Sequence, residues 1–240
     1  MKAEYSQVRR VIFLAAGKGT RMSPLTDSIP KPLIKVYGKP MLEWMIEEVL
    51  GIGIKDIVVI RGYLSNKFNY LREKYPQIRL IDNPYYQEAN NISSIYVARS
   101  LLSNSYVIEG DLFLKNSSIL KKTQMGSYYI AIEKEFTDDW CFSVNKNGII
   151  TKIQIGGLNC QQMVGISYWT EFDGKKLAKY TEEAFKNKNN WQLYWDQIAL
   201  EKYKNNFQVR TCICTENDVV EIDTLQELQA IDSSYKNTGR

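Results

Sequence analysis

The 240-residue chain carries 31 Lys and Arg against 27 Asp and Glu, a formal charge of +4, and no histidine. The missing histidine excludes Ser-His-Asp and Cys-His nucleophiles, histidine-ligated metals and an imidazole general base. At 44% hydrophobic and 24% charged residues the composition is that of an ordinary folded protein, and the dispersed basic residues make no case for nucleic acid as a partner.

Residues 1–10 are polar and lack the apolar core of a signal peptide. Residues 11–15 then read as a buried strand, 42–50 as a helix with an apolar face, 57–61 as a strand and 67–74 as a helix. A strand at 79–82, a helix at 93–103 and a strand at 105–109 continue the series. Such alternation predicts an α/β domain whose mostly parallel, doubly wound sheet carries helices on both faces. Ligands of such sheets bind beyond the carboxyl ends of the strands. The turn after Ala15 and the residues after Ile108 are therefore the places to examine.

The second half is richer in strands. Residues 128–133, 140–144, 149–155 and 164–169 read as antiparallel strands, with Lys146-Asn147-Gly148 as a hairpin turn. Helices at 174–187 and 193–203, a strand at 209–214, an extended segment at 219–223 and a helix at 225–231 close the chain. No Pro/Ser linker or repeat interrupts it, so residues 1–240 are expected to form one domain. The longest apolar runs, 11–16 and 57–60, fall far short of the roughly 18–20 residues of a membrane helix, and no membrane partner is expected. Cys141, Cys160, Cys212 and Cys214 form no C-x-x-C pair and lack further zinc ligands at sensible spacing. Reduced thiols in a cytoplasmic protein fit that pattern.

The first strand empties into Gly17-Lys18-Gly19-Thr20-Arg21, followed by Pro24, Lys31 and Pro32. Glycines let backbone N–H groups approach a polyphosphate, Arg21 offers a fork of donors, and Lys31 offers a mobile point charge. A glycine-rich turn alone is as compatible with a plain tight turn. The spacing matches neither the P-loop nor the dinucleotide fingerprint.

Residues 14–33 as a whole read LAAGKGTRMSPLTDSIPKPL. This string closely resembles LAAGxGxRxxPLTxxxPKxL, the signature of nucleotidyltransferases that activate sugar phosphates or phospho-alcohols with a nucleoside triphosphate. Gly62-Tyr63-Leu64, residues 90–96, Leu193-Tyr194-Trp195-Asp196 and Glu221-Ile222-Asp223 are similar to the bacterial CTP:phosphocholine cytidylyltransferases. The resemblance implies a Rossmann-like mixed sheet, a CTP-binding half at about 10–115 and an acceptor-binding half at about 116–240. It also implies a Mg²⁺-dependent reaction giving CDP-choline and pyrophosphate. Nucleotide binding falls to Ala15, Ala16, Gly17, Lys18, Gly19, Gly62, Asn91 and Ser94, and catalysis to Arg21 and Lys31. Asp111 and Asp223 become the metal pair.

Each assignment has an alternative in the residues themselves. Asp111 ends a buried strand, where a solvated carboxylate or a helix cap is ordinary. Asn90, Asn91, Ser93 and Ser94 suit a helix N-cap as well as a base-reading role. Glu109, in Glu-Gly-Asp where relatives often have Asp-x-Asp, is a doubtful ligand. A quaternary ammonium offers no N–H, so its recognition needs ring faces and carboxylates. Trp140, Tyr194, Asp196 and Glu221 are the expected acceptor set, with core packing the competing role for each ring. A phosphorylated amine such as phosphoethanolamine, 2-aminoethylphosphonate or a sugar 1-phosphate is the alternative acceptor. A nucleotide-sensing module without activity is the alternative class, opposed by the intact Gly17, Arg21, Lys31, Asp111 and Asp223.

Overall fold

A computed structural model describes residues 5–237. The apolar run after Arg10 forms β1 (Arg10–Ala15), flanked in parallel by β2 (Asp56–Arg61) and, on its other side, by β4 (Ser105–Glu109). Beyond β2 lies β3 (Ile78–Asp82), also parallel. Strands covered on both faces read as unbroken apolar runs, and β1, β2 and β4 do so because helices pack on either side. Val11 and Phe13 face α1 (Met41–Gly51) through Leu42, Met45 and Val49. Ile12 and Leu14 face the opposite core, which holds Ile92 and Ile95 of α3 (Ile92–Ala98) and Leu177 of α4 (Glu171–Phe185).

The chain runs from β1 out to β3 and then returns to β4 on the far side of β1. The order reverses between β1 and β4, and open α/β sheets bind ligands at such a switch point. Gly17–Arg21 and Glu109–Asp111 leave the sheet there.

The four strands expected in the second half merge into two long bent ones, β6 (Tyr128–Val144) and β7 (Ile150–Trp169). Register shifts between Thr137 and Trp140 bend β6, while Gly156 at φ +72 and Asn159 at φ +47 bend β7. Cys141 therefore stands opposite both Gln154 and Gln162. β7 joins the parallel half antiparallel to β4, and β8 (Arg210–Cys214) runs parallel to β6 at the edge. The result is one seven-stranded mixed sheet in the order β8-β6-β7-β4-β1-β2-β3.

Three expected elements differ. The helix expected at 67–74 is a 3₁₀ turn Ser65–Phe68 followed by α2 (Tyr70–Lys74). The helix expected at 93–103 ends as α3 at Ala98 and continues as a 3₁₀ turn Arg99–Leu101. The helix expected at 193–203 does not include Tyr194 and Trp195, and its regular part is a π-helical turn Ile198–Lys202. The reason is local: Trp195 N donates to Asn91 Oδ1 at 2.9 Å, and Tyr194 N to Gln197 Oε1 at 2.8 Å, so neither amide enters a helical ladder.

Two short strands complete the site. β5 (Leu112–Leu114) pairs antiparallel with β9 (Val219–Glu221), placing Glu221 opposite Leu112. A third core of Met22, Ile34, Met41, Phe113, Ile222 and Leu228 fastens the glycine loop's continuation to β5, β9 and α5 (Leu225–Ile231). Among the described residues, no helix is long and apolar enough to cross a membrane.

Candidate active site

The glycine loop is held from beneath. Ala16 O accepts from Tyr63 N at 3.0 Å, and Thr26 Oγ1 donates to Gly19 O at 3.0 Å. Gly19 adopts φ +64, ψ +40, a left-handed conformation that costs a side-chain-bearing residue about 1–2 kcal/mol. This turn aims the chain so that Lys31, only 6% exposed, reaches back under the loop. Lys31 Nζ lies 2.7 Å from Asp111 Oδ2 and also contacts Asp223 Oδ1. Burial opposes the charge of Lys31, but Asp111 and then Asp223 outweigh it and hold the amine above the ordinary lysine pKa.

Asp111 and Asp223 are brought together by the β5–β9 ladder, in which Ile222 N donates to Asp111 O at 3.1 Å. A capping box fixes Asp223 from behind: Glu227 Oε2 accepts from Asp223 N and Thr224 N, each at 2.7 Å. Carboxylate oxygens of Asp111, Glu221 and Asp223 lie within 4.8 Å of one another. Asp111 Oδ1 is buried without a hydrogen-bond partner among the described residues. Glu221 is pushed well above the usual carboxylate range by burial and by Asp111, Asp223 and Glu109. Glu109 is raised by burial, Asp111 and Asp196, while a hydrogen bond from Trp195 works the other way. Crowded carboxylates with an unpartnered oxygen fit a hard divalent cation, which takes oxygen ligands. Arg21 leans over the same group, with Nη2 at 2.9 Å from Asp223 Oδ1 and a side chain 69% exposed.

Two cavities meet at this cluster. A cleft of about 410 Å³ is walled by Ala15, Ala16, Gly17, Gly19, Arg21 and Lys31 on one side and by Asn91, Ser94 and Asp111 on the other. A second, of about 380 Å³, shares Arg21, Asn91, Asp111, Tyr194 and Asp223 and runs on to Trp140, Asp139, Asp196 and Glu221. Lys18 and Gly62 are set back from the cleft wall. Lys18 is exposed, with Nζ 5.9 Å from the Tyr63 ring centroid. Gly62 is needed for close packing, since a Cβ there would lie 2.7 Å from Tyr86 Cγ and 2.9 Å from Ala16 O.

The Asn/Ser cluster divides its roles. Asn83 Nδ2 donates to both Ser93 Oγ and Ser94 Oγ, at 2.9 and 3.1 Å. Asn91 occupies the N-cap position of α3 without a side-chain cap bond. Its amide instead accepts from Trp195 N and donates to Glu109 Oε1 at 3.4 Å.

In the second cavity the Trp140 and Tyr194 rings meet edge to face, centroids 5.6 Å apart at 64°. Tyr194 is 42% exposed. Trp195 points the other way, 3% exposed and stacked on Tyr129 at 5.8 Å. Asp196 is buried, and desolvation lifts its carboxyl to about 6 against its own and Gln197's amides. Glu221 thus sits among the metal-type carboxylates as well as in the acceptor wall. Asp139, Tyr129, Met163 and Gly165, none of them assigned from sequence, line this cavity too.

A strand-end triphosphate-type loop, a buried lysine between two aspartates and a β-rich second wall define an enzyme that transfers nucleotidyl groups. The chain belongs to the nucleotidyl transferase family, whose profile matches residues 10–134. More particularly, it is 36% identical over 238 residues to a 2-aminoethylphosphonate cytidylyltransferase of Lancefieldella rimae, covering 98% of this chain and 96% of that one. It is 34% identical to a choline-phosphate cytidylyltransferase of Haemophilus influenzae, over 92% of this chain and 94% of that one. The solved CTP:phosphocholine cytidylyltransferase of Streptococcus pneumoniae superimposes with a TM-score of 0.88 at 32% identity, over 95% of this chain and 99% of that one. The resemblance carried by residues 14–33 is thereby borne out along the chain.

Proposed function

We infer that the protein is a cytoplasmic cytidylyltransferase that condenses CTP with phosphocholine to give CDP-choline and pyrophosphate. One observation carries this reading. The cleft beside the glycine loop opens, past Asp111 and Asp223, into a cavity that pairs the Trp140–Tyr194 rings with Asp139, Asp196 and Glu221. Rings and carboxylates together suit a cationic head that lacks N–H donors. The nucleotide is assigned to residues 10–115 and most of the acceptor wall to 116–240, working as one domain. None of the four thiols is in a disulfide, in keeping with a reducing compartment.

In the reaction an oxygen of the acceptor phosphate attacks the α-phosphorus of CTP. The bond from that phosphorus to the β-bridging oxygen breaks, and pyrophosphate leaves with the electron pair. The acceptor is already anionic near neutral pH, so no histidine base is required. Arg21 and Lys31 neutralise charge on the phosphates, and the fixed geometry of β1 and β4 supplies positioning. Asp111 and Asp223, with Glu221 beside them, would hold Mg²⁺, which supplies charge neutralisation at the phosphates when bound. The Lys31 amine then acts from the loop side.

2-Aminoethylphosphonate is the second reading. The 36% identity to the Lancefieldella rimae enzyme favours it, and so do the several carboxylates, Asp139, Asp196 and Glu221, that line the cavity and could accept from a primary ammonium. The test is pyrophosphate release with CTP and a panel of phosphocholine, phosphoethanolamine and 2-aminoethylphosphonate. Trp140→Leu and Tyr194→Leu keep apolar bulk but remove the ring quadrupole, costing about 1–2 kcal/mol, or roughly 5–30-fold, in phosphocholine specificity. Primary amines should lose less. Wild-type preference for a primary amine, or an unchanged ratio in both variants, would refute the choline reading, and the assignment would pass to 2-aminoethylphosphonate where that is the preferred amine of the panel.

A further inference from the structure

Glu109 ends β4 between the two cavities, yet it stands outside the Asp111, Glu221, Asp223 cluster. Its Oε1 accepts from Trp195 Nε1 at 3.2 Å and from Asn91 Nδ2 at 3.4 Å. Asn91 Oδ1 closes the figure by accepting from Trp195 N at 2.9 Å. Trp195 therefore has both its indole and its backbone N–H committed, one to Glu109 and one to Asn91. The same two segments are laced again nearby, Asn90 N to Trp191 O at 2.7 Å and Gln192 Nε2 to Glu88 O at 3.0 Å. Space for the Glu109 stem comes from the neighbouring strand. A Cβ on Gly165 would lie 2.4 Å from Glu109 Cγ and 2.7 Å from its Cβ.

The geometry points to Glu109 as a positioning residue: it clamps Trp195 to Asn91 and so sets the acceptor wall, Tyr194 to Asp196, against the nucleotide side of the cleft. A glutamate has the reach for this, and one oxygen, Oε1, serves both donors. Its role is distinct from metal ligation, since Glu109 stands outside the Asp111, Glu221, Asp223 group.

Three variants separate the possibilities. Glu109→Ala removes the shared acceptor, Gly165→Ala displaces the Glu109 stem without altering it, and Glu109→Gln keeps an oxygen for both donors. In the folded protein without substrates, hydrogen exchange at the Trp195 indole and backbone N–H, read by ¹⁵N NMR, should be slow in wild type and in Glu109→Gln. It should accelerate at least about tenfold in Glu109→Ala and Gly165→Ala, since each loses a buried hydrogen bond. In turnover, which rests on the reading above, acceptor KM should rise about tenfold in those two variants. Glu109→Gln should restore the acceptor KM. Wild-type exchange rates in Glu109→Ala, or in Gly165→Ala if Glu109→Ala does not fold, overturn the clamp. A Glu109→Gln enzyme as impaired as Glu109→Ala overturns it too, in favour of a charge-dependent role. A wild type inactive on every phospho-amine refutes the functional reading alone, because the exchange experiment still decides the clamp.

Discussion

Gly19→Ala isolates what the loop's conformation contributes to the reacting centre. An alanine at φ +64 costs about 1–2 kcal/mol from the left-handed backbone alone. Its Cβ would also lie 2.8 Å from Lys31 Cβ, 3.2 Å from Lys31 Cδ and 3.3 Å from Thr26 Cγ2. Neither neighbour has room to retreat: Thr26 is 2% exposed and bonded to Gly19 O, and Lys31 is held by Asp111 and Asp223. Overpacking of this kind adds about 1–3 kcal/mol. The combined loss, about 2–5 kcal/mol, lowers Tm by at least about 4 °C in a chain of this size. Because the clash falls on Lys31, turnover should drop by about 100-fold, as small misplacements of catalytic groups do. Gly17→Ala is the control, since nothing lies within 4 Å of a Cβ there and its φ is not left-handed. Its stability should stay within about 0.5 kcal/mol of wild type, with weaker CTP binding as the only defect. Thermal unfolding and pyrophosphate release on both variants check this. Wild-type Tm and turnover in Gly19→Ala, or a Gly17→Ala protein that is the less stable of the two, would refute the reasoning.

Asp111→Ala should lower turnover by about 100-fold or more in a protein that remains folded by circular dichroism, with the deficit largest at limiting Mg²⁺. Near-wild-type turnover under those conditions counts against the metal assignment. Lys31→Ala should impair turnover to a similar degree, because its amine stabilises charge that grows on the phosphates; a purely structural lysine would lower stability alone. Asp196, whose carboxyl is lifted to about 6 by burial, is ionised above that pH and then attracts a cationic head. Acceptor KM should therefore fall as pH rises from about 5 to about 7, and Asp196→Asn should remove all of that slope except the acceptor phosphate's own titration.

The parallel half of the fold was legible because strands buried on both faces announce themselves as apolar runs between helices. β1, β2 and β4 lie where residues 11–15, 57–61 and 105–109 placed them. The bends of β6 and β7 were not, because a bulge changes pairing without changing alternation over the few residues that periodicity samples. The 193–203 segment misled for a different reason. Its sequence is compatible with a helix, but side chains from Asn91 and Gln197 capture the amides of Trp195 and Tyr194 first. The loop chemistry of residues 14–33 was readable as local spacing. The role of Glu109 was not, since it depends on Gly165 and Trp195, which only the folded sheet brings to it.

The absence of histidine narrows how this site manages charge. Lys31 stays protonated because Asp111 and Asp223 offset its burial, so its charge does not vary across the range in which histidines titrate. The crowding that raises Glu221 and Glu109 would be relieved by a divalent cation among the acidic groups. The two halves of the chain therefore depend on each other electrostatically. β4 leads into Asp111 and β9 brings Glu221 with Asp223 two residues further on, and neither set is balanced without the lysine delivered by the glycine loop. Substitutions within this group should behave non-additively, because each removes a charged partner that its neighbours contact directly.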